Sequence, residues 1–256
     1  MIRKWVVLMV LSLMFVRCER LHELFPTGPS PIRTQTALVI VSENAGKMST
    51  VFDYGYNFSQ PRLPEVFREI LKINPDVLDT LLLGEILDYY WEDWVITRLR
   101  EIACEKYDSI FCFTDETATA GILLDNLSNL RTHNFTIDCI FCLGGTKELI
   151  YFSDKEMLTD LFVDKLKERK IEIRSLYQTG SYGSRSIAKW QRIGIAAING
   201  SSGINHLSLF SPVYFLQEWL DGFSFSEAVQ RAREKEKIIV LDYLEQYPEL
   251  NYFVNV

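Results

Sequence analysis

One pattern constrains this chain more than any other: apolar runs that stop abruptly at small, permissive residues. Asp138-Cys139-Ile140-Phe141-Cys142-Leu143 ends in Gly144-Gly145-Thr146, and Ile173-Arg174-Ser175-Leu176-Tyr177-Gln178 ends in Thr179-Gly180-Ser181-Tyr182-Gly183-Ser184. A largely continuous apolar run of this length is how a strand reads when both of its faces are buried, as in a parallel sheet. The small residues then hand the chain to a loop at the carboxyl edge of the sheet, where ligands and reacting groups gather in open α/β folds.

Between such runs lie segments of helical spacing. Strands are predicted at Ala37–Ser42, Asp108–Phe113, Asp138–Leu143, Ile171–Gln178 and Ile193–Ile198. The clearest amphipathic helix is Glu85–Cys104, with Leu87, Tyr90, Trp91, Trp94, Val95, Leu99 and Ile102 recurring mostly at three and four. Its aromatic cluster is the spacing of core packing more than of a ligand box. Further helices are expected from Thr114-Asp115 to about Leu130 and over Asp154–Lys167. Two more should run from Ser211-Pro212 to near Gly222 and onward from the capping box Ser224-Phe225-Ser226-Glu227. Shorter helices are expected at Pro64–Ile73 and Pro75–Leu83, an extended piece at Glu148–Phe152, and a long loop over Glu43–Pro64. Strand and helix in alternation predict a three-layer α/β/α sandwich with a mostly parallel sheet.

Composition closes off several classes. Apolar residues make up 48% of the chain, which excludes a disordered one. The net charge of −7, with no Lys/Arg-rich stripe to offset it, argues against nucleic-acid binding. Of the five cysteines, Cys139 and Cys142 form a C-x-x-C on a predicted strand, with no second pair to complete a metal site. Buried core thiols are the simpler expectation, and no cofactor or metal is expected.

The N-terminus reads as an address. Met1-Ile2-Arg3-Lys4 is a basic start, and Trp5–Val16 is apolar but for Ser12, short for a membrane span and suited to a signal peptide. Cys18 directly follows Arg17, and the segment resembles a bacterial lipoprotein signal in which that cysteine carries the lipid. Arg17 and Phe15 depart from the small residues usual there, and the alternative is a signal peptide cleaved elsewhere or kept as an anchor. Residues 1–18 are thus expected as the signal segment and 19–36, with Pro26, Gly28, Pro29 and Pro31, as a tether. The body, 37–256, is expected as one domain outside the cytoplasm and tied to a membrane.

The order of these pieces resembles the caspase-like fold of caspases, metacaspases, gingipains and legumains. The likeness runs from about Ala37 to Lys237. It rests on Ala37–Ser42, on the Asp115-Glu116-Thr117-Ala118-Thr119 turn, on Cys142-Leu143-Gly144-Gly145, and on Gly180-Ser181-Tyr182-Gly183-Ser184. The tail adds Gly200-Ser201-Ser202-Gly203-Ile204-Asn205-His206, Phe215–Gly222 and Ser226-Glu227-Ala228-Val229. The resemblance implies a catalytic histidine at position 143 and a catalytic cysteine at position 181. Here those positions hold Leu143, which cannot carry a proton, and Ser181, a poor nucleophile without a base. It therefore implies a peptidase-like domain without its dyad, which binds a peptide or protein.

A hydrolase reading needs another base. His206 is placed best, while His133 precedes the third strand and His22 lies in the tether. Ser181 is not in a G-x-S-x-G elbow, since Thr179 precedes it by two. On the binding reading, Gly144, Gly145, Gly180, Ser181 and Gly183 offer backbone N–H groups to a peptide carbonyl or carboxylate. The same glycines would also serve tight strand-to-helix turns alone.

Overall fold

A computed structural model describes residues 35–43, 69, 90–143, 152, 160–180, 183–195, 197–202 and 210–248, all within one compact unit, Gln35–Val256. The expected signal segment with Cys18, the tether up to residue 34, the long loop after Glu43 and the two short helices around Glu69 lie outside the described residues, save Glu69 itself.

Five strands form one all-parallel sheet: β1 (Thr36–Glu43), β2 (Ser109–Phe113), β3 (Thr136–Leu143), β4 (Ile173–Gln178) and β5 (Ala197–Ile198), in the order β2-β1-β3-β4-β5. Six α-helices are described: α1 (Ile96–Ala103), α2 (Ala120–Thr132), α3 (Asp160–Glu168), α4 (Ile187–Gln191), α5 (Ser211–Leu220) and α6 (Phe225–Gln246). Alternate residues of each strand feed opposite faces. Leu38, Ile40, Ile140, Cys142 and Tyr177 pack under α1, α5 and α6, against Leu99, Val213, Leu216, Val229 and Ala232. Val39, Val41, Cys139, Phe141, Leu143 and Leu176 pack under α2, α3 and α4, against Leu123, Leu127, Phe162 and Trp190. The protein is a three-layer α/β/α sandwich, as the apolar runs require. No helix among the described residues is long and apolar enough to cross a membrane.

The same alternation settles the C-x-x-C. Three residues apart on a strand, Cys139 and Cys142 join cores on opposite sides of the sheet. Burial pushes the Cys142 thiol up to about 12 and raises that of Cys139 too. Neither is a nucleophile at neutral pH.

Several local expectations need correction. The helix after β2 does not open at Thr114-Asp115. Thr114 instead caps one 3-10 turn, Asp115–Thr117, and α2 begins after Thr119, whose side chain accepts from the Ile122 N–H. The expected strand Ile193–Ile198 is only Ala197–Ile198. The stretch before it belongs to the turn that follows α4, with Gly194 in the left-handed region (φ +87°). Of the amphipathic stretch Glu85–Cys104, residues 85–89 lie outside the described residues, Tyr90–Val95 is a π-helical turn, and α1 follows. The capping box of α6 forms as expected, whereas Ser211 sits inside α5 and Phe210 occupies its cap position.

β4 carries a bulge. Ile137 pairs with Ile173 and Asp138 with Ser175, so Arg174 is the extra residue. The bulge keeps Ile173 and Leu176 on the α2–α4 face and places Ser175 beside Asp138.

Candidate functional site

The carboxyl edge of β4 and β5 is tied together by two amide side chains. Asn199, just past β5, extends the ladder with its side chain: its Oδ1 accepts from the Gln178 N–H at 2.7 Å, and its Nδ2 donates to the Gln178 carbonyl at 3.0 Å. Gln178 replies through Nε2, which donates to the Asn199 carbonyl at 2.8 Å and lies 3.2 Å from the Gly183 carbonyl. The Ser186 hydroxyl donates to that same Gly183 carbonyl at 2.8 Å. Gln178, Ser186 and Asn199 are all buried, so these bonds form in a medium where an unmade one is costly.

The network presses two glycine-rich turns back to back. The Ser184 N–H donates to the Ser201 carbonyl at 3.0 Å. A Cβ on Gly200 would stand 2.6 Å from the Gly183 carbonyl carbon and nearer still to the Ser184 nitrogen. A side chain at position 200 would therefore force this backbone to shift.

In front of this junction lies a cleft of about 280 Å³. Tyr177 and Gln178 form one wall, Asn199 to Ser202 another, and Arg233 and Glu236 of α6 the third. Glu236 is buried, and its Oε1 accepts from the N–H groups of Phe210 (2.8 Å) and Ser211 (3.0 Å). It thus serves as the N-terminal cap of α5, the role the sequence suggested for the Ser211 hydroxyl. Burial raises its carboxyl to about 7, against the opposing pull of those N–H groups and of Arg233. Two cations of α6 beside it are engaged: Arg231 (3.4 Å) and Lys235 both pair with the buried Glu218 of α5. Arg233 makes no hydrogen bond or ion pair among the described residues and is exposed at the cleft.

The Glu236 pKa has a consequence for stability. It lies above the value of about 4.3 of an unfolded glutamate, so the folded state binds the extra proton between the two. The associated stability is complete below about pH 4.3, falls as pH rises through about 7, and is then level. The span amounts to at most about 4 kcal/mol. Urea unfolding of wild type against Glu236→Gln, whose amide oxygen still accepts the two N–H groups, should show this slope in the wild type alone. Equal slopes between pH 5 and 8 would refute it.

The sequence-predicted positions distribute unevenly. Leu143 lies at the end of β3, paired in register with Glu43, and is 1% exposed within the core under α2–α4. Its side chain is a core element and does not line the cleft. Gly180 and Gly183 are buried at the end of β4, in the turn that backs onto Gly200. Ser181, His206, Gly144 and Gly145 lie outside the described residues. His133 is the C-cap of α2, its Nδ1 2.9 Å from the Asn129 carbonyl, just before β3 at the opposite edge.

Sequence reasoning missed Gln178, Asn199, Arg233 and Glu236. One signal was available: the inward stripe Ala228, Val229, Ala232 of α6 continues into Glu236, an acid at a core position. Also unforeseen is a trio of carboxylates, Glu43 at the end of β1, Glu92 in the π-helical turn and Asp115 after β2, whose oxygens lie within 4.8 Å of one another. Such groups repel unless protons or cations are shared among them. Comparison with family models, with curated proteins and with solved structures gives no match to this chain.

Proposed function

We propose that this protein binds a peptide or an extended protein segment at the carboxyl edge of β4 and β5, and that it is not a working peptidase. The observation that carries this reading is the cleft itself, small, polar and walled by Gly200, Ser201 and Ser202. Its volume is at the lower end for ligand sites, room for one side chain or a chain end. Past Arg233 a shallower trough of about 410 Å³ continues along α6 between Val229, Gln230 and Lys237, where flanking residues of an extended chain would lie. The reading also draws on the caspase-like order of sequence motifs. In that likeness position 143 should supply a base, and here it holds a leucine packed in the core. With it goes the proposal of a body held outside the cytoplasm by a lipid on Cys18 or by an uncleaved anchor, with no nucleic-acid partner and no cofactor.

A serine hydrolase using Ser181, with His206 as base, is the alternative. A broad fluorophosphonate probe separates the two, read by intact mass on the full chain. The binding reading expects no adduct on Ser181. A stoichiometric adduct that disappears in Ser181→Ala would establish the hydrolase and overturn the binding-only reading.

A further inference from the structure

We infer that the cleft between β5 and α6 selects a carboxylate, from either an acidic side chain or a peptide C-terminus, with Arg233 as its counter-ion. The inference rests on the proposed peptide-binding role of this cleft and names the chemistry that would be recognised.

Three observations carry it. First, α6 sorts its cations. Arg231 and Lys235, one turn apart, face α5 and are spent on Glu218. Arg233 lies between them in sequence and therefore points elsewhere on the helix. It contributes to the walls of both the cleft and the adjoining trough, without a hydrogen bond or ion pair among the described residues. A guanidinium presents a planar fork that matches a carboxylate with two parallel bonds.

Second, the opposite wall is built for a polar guest. Ser201 and Ser202 are held in place because the Ser201 carbonyl accepts from Ser184 and because Gly200 is locked against Gly183. A rigid wall loses little entropy when a ligand arrives.

Third, the acid at the cleft does not oppose an anion as an ordinary carboxylate would. Glu236 is buried, and burial lifts its carboxyl to about 7. In its protonated form it carries no charge and can donate an O–H to a ligand carboxylate. The groups whose fields meet it are Arg233 on α6, Tyr177 on β4, Tyr90 on the π-helical turn and Tyr214 on α5. The Phe210 and Ser211 N–H groups bond it directly. Arg233 is the cation among these and the tyrosines are neutral, so Glu236 is the group that titrates near neutrality. A bound anion then favours the protonated form, and binding tightens as pH falls through that range.

The test uses the full chain and a panel of pentapeptides, alanine throughout except a central Asp, Glu, Asn, Gln or Lys. Each is made as the C-terminal acid and as the C-terminal amide, beside free N-acetylglutamate, with affinities taken from saturation-transfer NMR at pH 6 and 8. At least tenfold tighter binding is expected for a peptide bearing a carboxylate over its neutral counterpart. The central-residue pairs and the acid–amide pairs tell the two sources apart. Arg233→Gln should erase that preference, and Glu236→Gln should erase the gain from pH 8 to pH 6. Peptides binding equally whatever their charge, or a preference that survives Arg233→Gln, would overturn the inference and leave peptide binding intact. Binding of N-acetylglutamate alone, lost in Arg233→Gln, would uphold the carboxylate site and overturn peptide binding. No binding by any probe would overturn both.

Discussion

Asp138→Ala should lower the unfolding free energy by about 2–6 kcal/mol, since two buried hydroxyls lose their acceptor at about 1–3 kcal/mol each. Asp138 is 2% exposed on β3. Its carboxylate accepts from the Tyr107 hydroxyl at 2.8 Å, the Ser175 hydroxyl at 2.5 Å and Arg174 Nε at 2.9 Å, and a second Arg174 nitrogen completes a bidentate pair. Removing it strands the Tyr107 and Ser175 hydroxyls, both buried, and leaves Arg174 without its partner. The β4 bulge is also affected, since Arg174 is the inserted residue and its pairing with Asp138 holds that register. Arg174→Met should cost less, because the buried Asp138 carboxylate keeps the Tyr107 and Ser175 hydroxyls as donors, whereas Asp138→Ala strands both. Urea unfolding of both variants checks the ranking. A loss below about 1 kcal/mol for Asp138→Ala would show that the cluster contributes no more than surface pairs do.

Gly200→Val is expected to cost about 3 kcal/mol or more, at or above the usual upper end for overpacking, and to abolish binding in the cleft. The atoms a new Cβ meets are backbone, the Gly183 carbonyl carbon and the Ser184 nitrogen, and backbone cannot swing aside as a side chain can. Relief would require the turns after β4 and β5 to part. That would break the Ser184–Ser201 hydrogen bond and pull on the buried Gln178–Asn199 pair. Even Gly200→Ala should be measurably destabilised. Gly121→Ala is the control, because nothing lies within 4 Å of a Cβ there. Thermal unfolding of the three variants, with peptide binding measured on those that fold, decides it. If Gly200→Val were as stable as wild type, the two turns would not be locked.

The fold was legible because its determinants are local and strong. Five apolar runs, with helical segments between most of them, admit little other than a parallel sheet with helices on both faces. The misjudged ends have a common cause. Thr114 and Thr119 are both good caps, and only the geometry after β2 shows that the first caps a single 3-10 turn. Ile193 to Ile198 reads as a strand, yet Gly194 closes the left-handed turn after α4 and Ile195 is a core residue.

The site was less legible. Gly180 and Gly183 drew attention as turn residues, and they do form the buried turn behind the cleft. The groups facing into it come from separate parts of the chain: Gln178 ends β4, Asn199 follows β5, and Arg233 and Glu236 sit on the last helix. None belongs to a motif, because what joins them is proximity across the sheet edge.

By itself, then, the sequence determined the layers, the parallel sheet and the inertness of its buried thiols, since each follows from hydrophobic periodicity over a few residues. The tertiary structure decided which polar residues meet. The register of β4 against β3 set Asp138 beside Arg174 and Ser175, and the packing of α6 on the sheet set Glu236 under the first turn of α5 with Arg233 at the cleft. Those meetings depend on contacts between residues far apart in the chain, and no local pattern encodes them.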